Sequence, residues 1–176
     1  MTRSGRLGSP VQVVVDDLAF VAADAIARPV TATLRATTAL LRRFELAGGT
    51  GLAKQLHIAE PLPVGSAVVT GAGELDVELL VHAVVSSDEQ RVTTETVRQA
   101  LASALHRAAD FGVDHLAVPP FGLGAGNLDV EESAHAMLDV IHRHLRAGRS
   151  PSGITIVVEN DHEADAFLIR LSRTAA

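Results

Sequence analysis

The residues whose types and spacing suggest chemistry are glycines. Phe121-Gly122-Leu123-Gly124-Ala125-Gly126-Asn127 follows the apolar run His115-Leu116-Ala117-Val118 and the double proline Pro119-Pro120. It precedes Asp129 and Glu132, which have the spacing of a helix capping box. Strand, glycine loop, helix is the order of a phosphate cradle: glycine tolerates positive φ and keeps Cβ atoms out of the way, so successive N–H groups can converge on an anion. The bland alternative is an ordinary strand-to-helix turn whose glycines only relieve crowding. Gly122, Gly124 and Gly126 are spaced two and two, which departs from the G-x-G-x-x-G dinucleotide fingerprint. No Gly-Lys-Ser/Thr closes the loop, which excludes a P-loop. Gly48-Gly49-Thr50-Gly51 is a second, weaker cradle between two predicted helices.

Other polar groups carry less. Asp16-Asp17 ends a β-branched run and reads as a solvated turn or helix cap, with one carboxylate facing a ligand. His135 and His142 lie seven apart on one predicted helix with Glu132 three before His135, but no matching second half exists and no metal site is expected. His82 sits in an apolar strand and reads as a core or near-core histidine. Val64-Gly65-Ser66-Ala67-Val68 lacks the second glycine of a nucleophile elbow, and the chain has no cysteine, so serine and thiol nucleophiles are set aside together with disulfides.

These loops need a scaffold, and the apolar pattern supplies one. Val11–Val15, Asp24–Ala27, Ser66–Thr70, Glu78–Val85, His115–Val118 and Gly153–Val158 read as strands, the second ended by Pro29. A helix capped by Thr37 or Thr38 runs over 39–46, with leucines on one face and Arg42 and Arg43 on the other. Ala47–Gly51 breaks it, and another helix starts at Leu52. Thr93 caps a long helix with Val92 and Val97 as a hydrophobic staple, ending at Gly112. Val130, Ala134, Met137, Leu138, Ile141 and Leu145 mark the next helix, and Asp161 caps the last. Alternating strands and helices place the chain in the α/β class with a largely parallel sheet.

At 176 residues and 47% hydrophobic, residues 10–176 suffice for one domain, with 1–9 a polar, flexible lead-in. No run is long enough to cross a bilayer and no secretory signal opens the chain, so a cytoplasmic location is expected. The net charge of -6 disfavours nucleic acid as a partner. With no Trp or Tyr, stacking on a base must come from one of five phenylalanines.

The order of these pieces resembles the macrodomain family from about Val11 to Phe167. Asp17-Leu18 through Asp24-Ala25-Ile26-Ala27 is similar to its G-D-I-T…D-A-I-V stretch, and Val64–Thr70 to its T-G-x-A-V-x-T strand. Leu79–Val84 is similar to its strand ending in I-H-x-V, and Pro119–Gly126 to its phosphate loop P-A-L-G-T-G-A-G. The resemblance implies a three-layer α/β/α fold around a mixed, mostly parallel, roughly six-stranded sheet, with ADP-ribose at the sheet's edge. Asp17 would hold the adenine, with the Leu18 backbone nearby. Gly48, Gly49, Thr50 and Gly51 would face the distal ribose and phosphate. Gly122, Leu123, Gly124, Ala125, Gly126 and Asn127 would hold the diphosphate, and Phe121 would be core.

The departures bear on catalysis. The family's hydrolases carry N-A-A-N where this chain has Arg28-Pro29-Val30-Thr31, and Leu123 and Gly126 replace a hydroxyl and an aromatic. Three or four backbone donors at roughly 1.5–3 kcal/mol each, when charge-assisted, can still supply most of a micromolar affinity, about 8 kcal/mol net. Hydrolysis needs side chains that place water, and those are the ones replaced. The expectation is a module binding ADP-ribose or a related nucleotide diphosphate, free or on an ADP-ribosylated protein, without efficient hydrolysis and without a cofactor. The alternatives are an ADP-ribosyl hydrolase or O-acetyl-ADP-ribose deacetylase that uses Arg28, Thr31 or Thr50 instead, and an interaction domain that has lost its ligand.

Overall fold

The computed structural model describes residues 9–174; the lead-in expected over 1–9 therefore lies, apart from Ser9, outside the described residues. Six strands form one sheet in the order β1-β6-β5-β2-β4-β3: β1 Val11–Val15, β2 Ala25–Thr31, β3 Ala67–Gly71, β4 Leu79–Ser86, β5 His115–Val118 and β6 Gly153–Val158. Every neighbouring pair is parallel except β3 with β4. The expected mixed, mostly parallel sheet is what forms.

Helices cover both faces, because alternate strand residues point to opposite sides and both sets are apolar. Ala25, Ala27, Leu116, Val118, Ile154 and Ile156 pack with α3 Thr94–Asp110, α4 Val130–Arg146 and α5 Asp161–Thr174. Ile26, Leu80, Ala117 and Val157 face the other way, onto Leu41 and Phe44 of α1 Ala39–Ala47 and Leu52 of α2 Gly49–Gln55.

Apart from one-residue shifts at element ends, three boundaries differ from the sequence reading. Pro29 does not end β2, which continues to Thr31. β2 pairs with β5 only at Ala25 and Ile26 while β4 runs beside its whole length, so Pro29 sits where one side of the strand has already lost its ladder, a position that tolerates a missing N–H. The second helix begins at Gly49 rather than Leu52, with Gly48 closing α1 and opening α2. Gly48–Gly51 is thus a helix junction and first turn, not an open loop. Asn160, not Asp161, caps α5: its Oδ1 accepts the Glu163 N–H at 2.9 Å. The other caps form as read, Thr38 for α1, Thr93 for α3 and Asp129 with Glu132 for α4.

Because β1, β6, β5 and β2 are parallel, their carboxyl ends lie at one edge of the sheet. There the segments after each strand converge, the position where open α/β sheets bind ligands.

Candidate functional site

The loop after β5 is anchored at its start and open along its middle. Phe121 is fully buried, its carbonyl accepts from Ser133 Oγ on α4 at 2.6 Å, and its N–H points at Met137 Sδ at 3.2 Å. Two later amides close the loop on itself: Asn127 N–H to the Gly124 carbonyl and Leu128 N–H to the Gly122 carbonyl, each at 3.0 Å. Asn127 therefore shapes the loop and has no backbone donor to spare. The amides of Gly122, Leu123, Gly124, Ala125 and Gly126 have no acceptor among the described residues. Gly122 has φ 85°, and an added Cβ would lie 2.8 Å from Val97 Cγ2. Gly124 has φ 137°, and its Cβ would lie 3.4 Å from the Thr37 carbonyl oxygen. Glycine is thus required by packing at the first position and by its positive φ at the second, where an added Cβ would also crowd Asn127 Nδ2 at 3.0 Å.

That opposite wall is the segment from Thr37 into α1. Thr38, Ala39, Leu40, Leu41 and Arg43 face Pro119, Pro120 and Leu123 across a cleft of about 410 Å³, with Glu159 and Glu163 at its β6 end. Arg43 Nη2 lies 3.8 Å from Glu159 Oε1, both side chains being largely exposed. Burial pushes the Glu163 carboxyl up from its ordinary range, opposed in part by the Glu159 N–H it accepts at 3.2 Å. Thr37 Oγ1 is buried with no hydrogen-bond partner among the described residues. The N-terminus of α4 is filled by its own Asp129 and Glu132 carboxylates, so free donors at this edge come from the loop and not from that helix end. Two larger hollows, about 710 Å³ between α3 and α4 and about 1050 Å³ beside α2, contain none of the loop residues.

The structure does not bring Gly48–Gly51 to this cleft. They lie at the far end of α1, whose nine residues span roughly 13 Å. There Gly48 and Gly49 pack against the turn at Gly73-Glu74: Glu74 N–H donates to the Gly48 carbonyl at 2.9 Å, and a Cβ on Gly49 would meet the Glu74 carboxylate. The wall opposite the glycine loop is thus Thr37–Leu41 with Arg43, residues the sequence reading knew only as a helix start. Its available signal was a polar cap one tight turn after β2, at the sheet edge where parallel strands end.

Asp17 caps the 3-10 turn Leu18–Phe20, its Oδ1 accepting the Ala19 N–H at 2.9 Å. Oδ2 has no partner among the described residues, so the cap and a ligand contact are compatible. Leu18 is buried, with its N–H unpaired among the described residues. The turn packs on α1, and Phe20 at its end is 79% exposed. Phe44, Phe121 and Phe167 are buried and Phe111 ends α3, which leaves Phe20 as the exposed aromatic at this end of β1.

The three side chains weighed as catalytic substitutes fall in three places, none lining the 410 Å³ cleft. Arg28 is fully buried: Nη1 bonds Glu45 Oε1 at 2.9 Å, Nε donates to His82 Nδ1 at 2.9 Å, and Nη2 reaches the Leu34 carbonyl at 3.4 Å. With Nδ1 accepting, His82 carries its proton on Nε2 and donates to Thr70 Oγ1 at 2.8 Å, which donates to the Gly71 carbonyl at 2.8 Å. Burial, and then the Arg28 charge, lower the His82 pKa to about 3. Arg28 is lowered too, by burial, against the pull of Glu45. The Thr31 hydroxyl accepts the Arg35 N–H at 3.2 Å inside a tight turn, and Thr50 belongs to α2. The sequence placed His82 in the core correctly but could not pair it with Arg28. Among the described residues no group of three or more His, Cys, Asp or Glu is arranged to hold a metal ion, and no helix is long and apolar enough to cross a membrane.

Comparison with known proteins adds ancestry to this geometry. The family model described as Macro domain matches residues 30–137. An uncharacterised protein of Aeropyrum pernix is 30% identical over 159 residues, 88% of this chain and 82% of that protein. An uncharacterised protein of Mycobacterium tuberculosis is 28% identical over 82% of this chain, which spans only 40% of that relative's length. Among solved structures, a variant of the Oceanobacillus iheyensis macrodomain with ADPR superposes with a TM-score of 0.84 at 17% identity, covering 94% of this chain and 93% of that one.

Proposed function

Because this chain belongs to the macro domain family, we propose that it binds ADP-ribose, or a related nucleotide diphosphate, in the cleft between the 121–127 loop and the start of α1. The observation that carries this reading is the row of five amides, Gly122 to Gly126, that meet no acceptor among the described residues while the loop's ends are pinned. Unsatisfied donors in a pinned loop are pre-ordered for an anion, and binding then costs little reorganisation. In the proposed complex the diphosphate lies on those amides, Arg43 offers a cation from the opposite wall, and Asp17 Oδ2 takes the adenine amino group.

The reading is of a binder, of the free nucleotide or of a protein carrying it, without efficient hydrolysis. Arg28 and the Thr31 hydroxyl, at the positions of the family's asparagines, are committed to interior contacts and a turn. Arg28 turned inward and a Thr31 hydroxyl engaged in its own turn support a binder over an enzyme that places water at a ribose. Calorimetric titration with ADP-ribose tests the binding: saturable heat in the micromolar range is expected, and none at millimolar ligand would remove the proposal. Incubation with an ADP-ribosylated protein should release no ADP-ribose above background; release that disappears on Thr31→Ala or Thr50→Ala would make the chain an enzyme.

A further inference from the structure

We propose that the hollow on the other flank of α1 is a second anion site that takes the phosphate or pyrophosphate group of a small molecule. It measures about 1050 Å³ and is lined by Thr33 and Arg35 of the turn after β2, Arg42 and Glu45 of α1, Thr50 of α2, and His57. Its volume suits a small ligand. The α1 residues that line it, Arg42, Glu45 and Leu46, occupy a different side of the helix from those lining the nucleotide cleft, so the two sites do not share a wall surface.

The charge balance is specific. Glu45 is the lining carboxylate, and the buried Arg28 meets it from inside at 2.9 Å. With that charge cancelled, Arg35 and Arg42 remain, both exposed and without an acidic partner among the described residues. Two uncompensated guanidiniums in one hollow run against a chain whose net charge is -6. Guanidinium forks match phosphate oxygens in pairs, and the hydroxyls of Thr33 and Thr50 add donors on two sides.

The placement of Arg35 is enforced. Leu34, 2% exposed, has φ 63°, a left-handed conformation strained for a branched apolar residue. The turn holds it there: Leu34 N–H to the Thr31 carbonyl at 2.9 Å, Thr31 N–H to the Arg35 carbonyl at 3.0 Å, Arg35 N–H to Thr31 Oγ1 at 3.2 Å. Arg28 Nη2 bonds the Leu34 carbonyl while Nη1 holds Glu45, so one buried cation ties together the turn and the helix that bound the hollow. Strain persists only where the surroundings over-determine it, and here its product is an arginine set at the rim of a cavity.

The probe is inorganic pyrophosphate, titrated by calorimetry at low salt, with ADP-ribose already present at a concentration that just fills the loop cleft, into the full chain, into R35Q/R42Q, and into R143Q/R149Q as a control for general charge attraction. Saturable binding to wild type, weakened at least tenfold in R35Q/R42Q and less than twofold in R143Q/R149Q, is the expected result. No saturable heat with wild type, unchanged heat in R35Q/R42Q, or an equal loss in both variants would overturn the proposal. Both variants alter exposed side chains, and coincident thermal midpoints with wild type establish that they fold. ADP-ribose titrated into R35Q/R42Q reads the other cleft separately: its heat should stay within twofold of wild type, and its absence from every protein would sink the nucleotide reading while leaving the pyrophosphate result to stand or fall alone.

Discussion

At the scale of the residue, the buried Arg28 sets the terms. An arginine in a strand that reads Ala-Ile-Ala-Arg-Pro-Val has no apolar role, so its guanidinium must be satisfied in the interior, and Glu45, His82 and Leu34 do so. Breaking such a pair from one side leaves a buried charge unmet. Glu45→Met should therefore cost about 3 kcal/mol by urea unfolding, and Arg28→Met/Glu45→Met should cost less than Glu45→Met alone. His82 contributes a pH dependence of definite sign. Folded, its pKa is about 3; unfolded, it returns to near the ordinary histidine value of 6.5, so between those values the unfolded chain binds more protons. Stability should be level with respect to His82 above about 6.5 and fall as pH drops, by up to roughly 1.4 kcal/mol per unit. Unfolding midpoints of wild type and His82→Gln at pH 7, 5.5 and 4 check this: the difference between them should shrink steadily toward acid, since only the wild type loses this contribution.

At the scale of the element, the loop after β5 separates stability from binding. An added Cβ at Gly122 lands 2.8 Å from Val97 Cγ2 and 2.9 Å from Leu128 Cδ1, inside the core. Gly122→Ala should lose about 1–3 kcal/mol by overpacking. Gly126 has φ 76° but nothing within 4 Å of an added methyl, so Gly126→Ala should cost only about 1–2 kcal/mol of backbone strain. Under the proposed function it should weaken ADP-ribose binding by more than its modest loss of stability suggests, because the amide row is re-aimed. Thermal unfolding and calorimetry on the two variants distinguish these outcomes. The sequence showed this loop plainly because glycine density and the capping box are local signals. It could not show that α1 forms the facing wall, because Thr37 and Gly124 meet only when β2 and β5 lie side by side, 87 positions apart in the chain.

At the scale of the whole molecule, ligand and fold are linked. ADP-ribose at a hundred times its dissociation constant should add about 2.7 kcal/mol. For a domain of this size that raises the midpoint by about 5–10 °C. Differential scanning fluorimetry with and without the ligand reads it, and an unmoved midpoint at saturating concentration would contradict the proposed function.

What the sequence by itself determined is the periodic part: six strands, the alternation with helices, the capped starts of α1, α3 and α4, and a glycine loop after the double proline. These follow from patterns a few residues long, and short-range sterics and hydrogen bonding act at that range. Which segments share a cleft was decided only by the tertiary structure. It moved Gly48–Gly51 away from the loop they were expected to join, turned Arg28 inward, and set Arg43 across the cleft from Leu123 and the Thr37 carbonyl beside Gly124. Such choices depend on how strands order themselves in the sheet and on where buried charges find partners, and neither is written in any local stretch of the chain.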